Sequence, residues 1–297
     1  MLEVSVGICA YNEENNIGKL LESIFKQKCE KIHIKEIVVV SSACTDDTDK
    51  IVENYAKIDS RITLIRQKER KGKSSAINLF LKEISGDVCI LESADTIPLS
   101  DAYENLCKSF EIADVGMVGA HPVPVNNSKN FMGFVVNLLW KLHHKTALIA
   151  PKCGELVAYK NIVESIPEDS AVDEASIEAI IVSKGYKLAY AQDAIVKNKG
   201  PESIGDYVIQ RRRIICGHKW LNDNYTYKVS TSNMLRTVRN VLKEFNLNIK
   251  NNIWIIATIC LELYCRIMGY YDYYIKKKNP FIWEIADSTK KVTDEQG

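Results

Sequence analysis

Val88-Cys89-Ile90-Leu91-Glu92-Ser93-Ala94-Asp95-Thr96-Ile97-Pro98 is the stretch that decides the fold. It opens as a short apolar run, the pattern of a strand buried on both faces. Its polar residues collect where the run stops, and Pro98 has no N–H with which to continue a ladder. This places Glu92, Ser93 and Asp95 at the carboxyl end of a buried strand. In an open α/β sheet that edge is where loops converge on a crevice and ligands bind. The same residues also suit a plain turn in which Asp95 accepts backbone N–H bonds, so the flanking segments must arbitrate.

Upstream, strand and helix patterns alternate. Residues 4–9 read as a strand, followed by Ala10-Tyr11-Asn12-Glu13-Glu14 and a helix with Ile17, Leu20, Leu21 and Ile24 on one face. Residues 34–40 form a second apolar strand. Ser41-Ser42-Ala43-Cys44-Thr45-Asp46-Asp47-Thr48 then turns into a helix carrying Ile51, Val52 and Tyr55, with Asp46 or Thr45 as its expected N-cap. A third strand at 62–65 leads through Gly72-Lys73 to a helix near 74–84 whose Ala76, Ile77, Phe80 and Leu81 face inward. Three such alternations predict right-handed crossovers, a mostly parallel sheet and polar turns stacked on one edge.

Composition narrows the function. The 297 residues hold 39 Lys and Arg against 38 Asp and Glu, so a net charge of +1 gives no bulk attraction for nucleic acid, and no nucleic-acid partner is expected. Nine scattered cysteines without paired metal-ligand spacing read as core residues of a reduced, cytoplasmic chain. Met1 leads directly into a strand, so no secretory leader is expected. The first turn has no G-x-G-x-x-G, which excludes a Rossmann dinucleotide site. Gly72-Lys73-Ser74 lacks the earlier glycine of a P-loop.

Ala-Tyr-Asn-Glu-Glu at 10–14, Ser-Ser-Ala-Cys-Thr-Asp-Asp-Thr at 41–48, Gly-Lys-x-x-Ala-x-Asn at 72–78 and x-Ala-Asp at 93–95 stand in order. Together they resemble the family 2 glycosyltransferases with their GT-A fold. Asp173-Glu174 before an apolar helix, Gly185-Tyr186 at a strand start, and Gln210-Arg211-Arg212-Arg213 followed by Gly217-His218 extend the resemblance over roughly residues 4–220. Gly154-Glu155-Leu156-Val157-Ala158-Tyr159 resembles the strand flanking the acceptor side. The implied fold is α/β with a mostly parallel central sheet flanked by helices and a C-terminal helical appendage.

Sugar transfer from a nucleoside diphosphate needs a neutralised diphosphate, a deprotonated hydroxyl and both held in line across the anomeric carbon. Mg or Mn suits the first task, since such ions take one or two carboxylates and fill the rest with phosphate and water. The resemblance implies Asp95 as a metal ligand, although Ser93 stands where the family's first acid does, and His218 as a second ligand. Glu92 points to the opposite strand face unless the strand has already ended. For the base, the family's Glu-Asp appears here as Asp-Glu. Counting back from Gly185 favours Glu174, the Asp-Asp variants favour Asp173, and both are carried. Acids at a helix start also simply complement its dipole. One base with no evident nucleophilic carboxylate implies inversion.

Tyr11, Asn12, Glu13, Ser42, Lys73, Ala94, Asp95 and Arg213 are the expected donor-binding residues, with Asn78 pinning the helix behind Lys73. Arg211 and Arg212 read as a solvated surface. Ile214, where the family has Trp, favours single sugar transfer over processive polymerisation. The expected enzyme is a hexosyltransferase acting on a lipid, glycan or small-molecule acceptor. A nucleotidyltransferase and a non-catalytic nucleotide-sugar-binding scaffold are the alternatives.

Two apolar segments bear on the acceptor and on location. Residues 131–142 form an expected helix, followed by His143-His144-Lys145, that borders the acceptor side in the family. Residues 253–275 are more apolar still and end in Lys276-Lys277-Lys278. Glu262, Arg266 and Asp272 would each cost roughly 2.5–3.5 kcal/mol at the centre of a membrane span, with Glu262 and Arg266 spaced to pair. A helix at the bilayer surface at 253–278, or one packed on the domain or in a homo-oligomer, fits better. The expected organisation is a catalytic domain at 1–220, halved near 98, a helical region at 221–287 and a disordered tail at 288–297, with the protein in the cytoplasm or at the inner face of the cell membrane.

Overall fold

The computed structural model describes residues 1–229 and 234–282; the expected tail at 288–297 lies outside them. Strands β1 (Leu2–Ala10), β2 (Ile32–Ser42), β3 (Ile62–Gln67) and β4 (Val88–Ser93) alternate with helices α1 (Ile17–Phe25), α2 (Thr48–Ile58) and α3 (Lys73–Glu83). The first four strands pair in parallel in the order β3-β2-β1-β4. Their apolar runs are buried on both faces. Val4, Val6 and Ile8 meet Leu20, Leu21 and Val52 on one side, and Val38, Val40 and Leu91 meet Ala76, Ile77 and Phe80 on the other.

The second half is mixed. β5 (Thr96–Pro98), α4 (Ala102–Cys107), β6 (Val115–Pro124), α5 (Phe131–Ala147), β7 (Leu156–Lys160), α6 (Asp173–Ser183) and β8 (Lys187–Asn198) follow. β7 inserts antiparallel between β4 and β6, and the full order is β3-β2-β1-β4-β7-β6-β8-β5. Pro98 does not stop pairing as the sequence reading held. It ends β5, an edge strand paired antiparallel with β8, where a missing N–H is tolerated. Only Ala94 and Asp95 separate central β4 from edge β5. Three Cα steps reach ~11 Å at most, so the sheet curls until its last edge meets the end of β4. Asp95 lies in that closure.

The remaining helices are α7 (Ile204–Tyr225), α8 (Met234–Leu242) and α9 (Ile249–Tyr274). Residue 220, the expected domain boundary, falls inside α7. Residues 143–145 continue α5 rather than follow it. α2 is capped at Asp47 rather than at Thr45 or Asp46, although the Asp46 carboxylate accepts the Thr48 N–H at 3.0 Å. α9 lies along α7. Arg211 forks onto Glu262 at 2.7 and 2.8 Å, and Arg212 onto Asp272 at 2.9 and 2.8 Å. These arginines are therefore not a solvated surface, and Glu262 pairs across helices instead of with Arg266. Gly269 permits the approach, since a Cβ there would come 2.8 Å from the Ile215 side chain.

Candidate active site

Gly72 adopts φ +88°, a left-handed conformation that glycine takes without strain, and so ends the β3–α3 turn with Lys73 opening the helix. Asn78 fastens α3 from behind, donating to Ile166 O at 2.9 Å and accepting Ile166 N–H at 2.8 Å. The Lys73 ammonium then reaches Asp173 Oδ2 at 2.7 Å, Glu174 Oε1 at 2.9 Å and Ser93 Oγ at 3.4 Å. Asp173 and Glu174 open α6, where the helix dipole favours anions. The structural and chemical readings of these acids therefore coincide.

Burial governs their ionisation. Burial works against the Lys73 charge, but Asp173 and Glu174 outweigh it and hold the ammonium well above the ordinary lysine value. Asp173, whose side chain is 2% exposed, is raised by burial and by neighbouring Glu174. Burial also pushes against a Glu174 carboxylate, yet Lys73, with Arg213 adding to it, holds that group below the ordinary range.

Three further groups join them electrostatically. Arg213, on α7, is brought down to about 10 by burial, against the pull of Asp173, Glu174, Glu155 and Asp95. Glu155 is raised to about 7 by burial and by the charges of Asp95 and Glu174. In sequence, Glu155 reads only as part of the strand flanking the acceptor side. Its backbone sits at φ +62°, a conformation non-glycine residues seldom hold and one that aims a side chain out of line with its strand. Only its place after Gly154 hinted at this. Asp95, Glu155, Asp173 and Glu174 thus lie within electrostatic range of Arg213, and four carboxylates stand to the two cations Lys73 and Arg213 near the edge where β4 ends.

Glu92 points away, into the core, as strand alternation requires. It is fully buried, accepts from Tyr103 at 3.0 Å and contacts the Thr96 hydroxyl, and burial raises it to about 8. Thr96 Oγ1 also lies 2.7 Å from Ser93 O. A hydroxyl has one proton for these two oxygens. A neutral Glu92 satisfies both contacts by donating to Thr96 while Thr96 donates to Ser93.

The expected donor loops are stitched to one another. Asn12, at φ +54°, accepts the Thr45 N–H at 2.8 Å and donates to Thr45 Oγ1 at 3.2 Å. Buried Glu13 donates its N–H to Thr48 Oγ1 at 2.7 Å and accepts from Asn16 at 2.8 Å. Ser42 donates to Gln67 at 2.7 Å, and Gln67 donates to Ser75. Arg70 lies 4.0 Å over the Tyr11 ring. Ala94 is packed into the core and holds the Asp95 turn down. Tyr11 and Asp95 remain half-buried at the edge, and Asn12 ties the first loop to the second.

The residues fit a divalent ion delivered with a diphosphate better than a preassembled metal centre. Among the described residues no group of three or more His, Cys, Asp or Glu side chains converges as a ligand set. The local carboxylate surplus nonetheless welcomes a cation, and Asp95 is the acid at the sheet closure. His218 stands elsewhere in charge terms. Burial and the cations Lys152, Arg211 and Arg213 bring it down to about 3, and its Nδ1 is buried without a hydrogen-bond partner.

Residues 5–158, more than half of the chain, match the model of glycosyl transferase family 2. The chain belongs to that family. Among curated relatives, the dolichyl-phosphate beta-glucosyltransferase ALG5A of Trichomonas vaginalis is 30% identical over 36% of this chain and 35% of its own length. A Staphylococcus aureus poly-beta-1,6-N-acetyl-D-glucosamine synthase is 24% identical over 69% of this chain and 52% of its own. The chain therefore spans about a third to a half of these relatives. Among solved structures, a mannosyltransferase from Pyrobaculum calidifontis, in complex with GDP-Man and Mn2+, superposes with a TM-score of 0.65 at 21% identity, covering 93% of this chain and 88% of that one. Glucosyl-3-phosphoglycerate synthase from Mycobacterium tuberculosis, with Mn2+ and UDP, gives 0.53 at 16% identity over 76% and 81%. These neighbours share the GT-A fold with this family 2 chain.

A cavity of about 470 Å³ on α5, lined by His121, Pro122, Phe134, Trp140, His144 and Ile255, shares no lining residue with the carboxylate cluster.

Proposed function

We propose that this family 2 chain transfers one hexose from a nucleoside diphosphate sugar to a hydroxyl of a lipid, glycan or small-molecule acceptor, inverting the anomeric centre. The observation that carries the reading is the meeting of Asp173, Glu174 and Lys73 within 2.9 Å at the sheet edge where Asp95, Glu155 and Arg213 also converge. Lys73 and Arg213 are two cations for the two phosphates of the donor. A diphosphate that draws Lys73 away from Asp173 frees that carboxylate to take the acceptor proton, and its raised proton affinity suits a general base. Glu174 is the alternative base, nearer solvent. Glu155, half-protonated near pH 7, is a poor nucleophile, which favours single displacement over a covalent intermediate.

A divalent ion, Mg or Mn, would sit on Asp95 and supply charge neutralisation for the departing diphosphate. The Mn2+ and nucleotide ligands of the solved neighbours support this choice. Tyr11, Asn12 and Ser42 would border the nucleoside, and the α5 cavity would lie toward the acceptor. His218, its Nδ1 buried without a hydrogen-bond partner, is the remaining ligand candidate.

The test is a turnover screen of the purified chain against UDP-, GDP- and dTDP-sugars with Mn, Mg or chelator, alongside Asp95→Ala. We expect metal-dependent turnover of one donor, reduced on the order of 10²-fold or more in the variant. Binding of no donor under any condition would sink the reading.

A further inference from the structure

From the way α9 is packed, we infer that its outward face docks on an anionic lipid surface. Between residues 251 and 275 this helix has only three charged side chains, Glu262, Arg266 and Asp272. Both acids turn inward onto α7, where Arg211 and Arg212 grip them. Arg266 is half-buried and within electrostatic range of Glu262. The outward face is left without an acid. Ile253, Ile256, Leu263, Ile267, Tyr270 and Tyr274 recur at helical spacing along it, with Ile267 67% and Ile253 59% exposed. A helix of 26 residues runs ~39 Å, so this is a long apolar strip on the described surface.

Charge at the two ends chooses the occupant. Lys276, Lys277 and Lys278 are exposed at the C-terminal end, and exposed Lys250 lies 4.3 Å over the Trp254 ring at the other. A second copy paired in parallel would stack these lysines on one another, and an antiparallel copy would bring residues 276–278 beside Lys250. Along the strip itself neither offers an acid in return, since Glu262 and Asp272 are turned to α7. An anionic headgroup layer complements both ends at once, and the tyrosines suit the boundary where a ring is buried and its hydroxyl stays wet. The helix lies along the surface rather than across it, because crossing would drag the ion-paired Arg211 and Arg212 of α7 into the hydrocarbon. α7 also carries Arg213. Docking α9 therefore fixes how the catalytic edge faces the membrane.

The experiment is co-sedimentation of the full chain with vesicles of phosphatidylcholine alone or mixed with phosphatidylglycerol. Near a surface each lysine is worth about fivefold in binding, so we expect at least tenfold preference for the anionic vesicles and a severalfold loss on raising salt. Ile256→Asp with Ile267→Asp should lower binding at least tenfold while leaving the melting temperature unchanged. Lys276→Glu with Lys277→Glu and Lys278→Glu should remove the anionic preference, and tests the proposal even if the first variant folds poorly. Equal binding by the wild type to both vesicles or to neither, or wild-type binding by either variant, overturns the inference. So does a lipid-free dimer in sedimentation velocity that Ile256→Asp with Ile267→Asp dissolves. Vesicle binding needs no donor, so its failure leaves the transferase reading standing, and a failed donor screen leaves this inference standing.

Discussion

The two halves of the catalytic edge are built on opposite principles. Around Asn12, Thr45, Glu13 and Thr48, polar atoms of the first two strand-to-helix loops are largely spent on one another, in a local web of short-range hydrogen bonds. Around Lys73, Asp173, Glu174, Glu155 and Arg213, charges from α3, α6, α7 and the start of β7 gather with more carboxylates than cations, Asp173 buried and the others half-buried. The first region has its polar atoms paired before any ligand arrives. On the proposed function the second awaits one, because an incoming diphosphate and cation would offset its uneven charge.

The largest effect expected from breaking this contrast is on turnover. Asp173→Asn should reduce kcat on the order of 10²–10⁴-fold, the range for a lost general base, with Glu174→Gln reducing it less. Steady-state rates on the accepted donor decide between them, and the reverse order would make Glu174 the base. Next is Arg211→Ala, which strands Glu262 between α7 and α9. A fully buried pair broken on one side loses roughly 3–5 kcal/mol. With the two side chains 24% and 15% exposed, about 2–3 kcal/mol is expected in denaturant unfolding.

Glu92→Gln probes the neutral acid behind the site. The folded carboxyl titrates at about 8, against an ordinary 4.5. Between those values the folded state holds the extra proton, so stability is full below pH 4.5 and declines as pH rises through 8, by up to ~1.4 kcal/mol per unit. Unfolding curves at pH 5, 7 and 9 should show that decline in the wild type and a flatter profile in the variant. The smallest effect belongs to the stitched half. Asn12→Ala loses the bonds to Thr45 at a left-handed position and should cost about 1–2 kcal/mol, with weaker donor binding and an almost unchanged kcat.

Much of this was legible because it is local. The apolar runs at 4–9, 34–40 and 88–92 specify strands whatever lies beside them, and Gly72 followed by Lys73 announces a helix start by its own backbone preference. Lys73, Asp173, Glu174 and Arg213 could be picked out because the segments that carry them resemble motifs of the family. Other features depend on what the curled sheet brings together. Pro98 is permitted in a strand because β5 is an edge, and an edge is a property of the whole sheet. Glu155 becomes part of the site through one unusual φ and the closeness of Asp95, neither of which its neighbours in sequence encode. Arg211 and Arg212 looked like solvent-facing cations until α9 supplied their acids more than 50 residues later. What the sequence by itself determined was the alternation of strands and helices up to residue 92 and the inventory of reactive side chains, since propensity and periodicity act over a few residues. Only the tertiary structure decided which charges share a buried space, because burial and electrostatic neighbours are set by chain segments far apart in sequence.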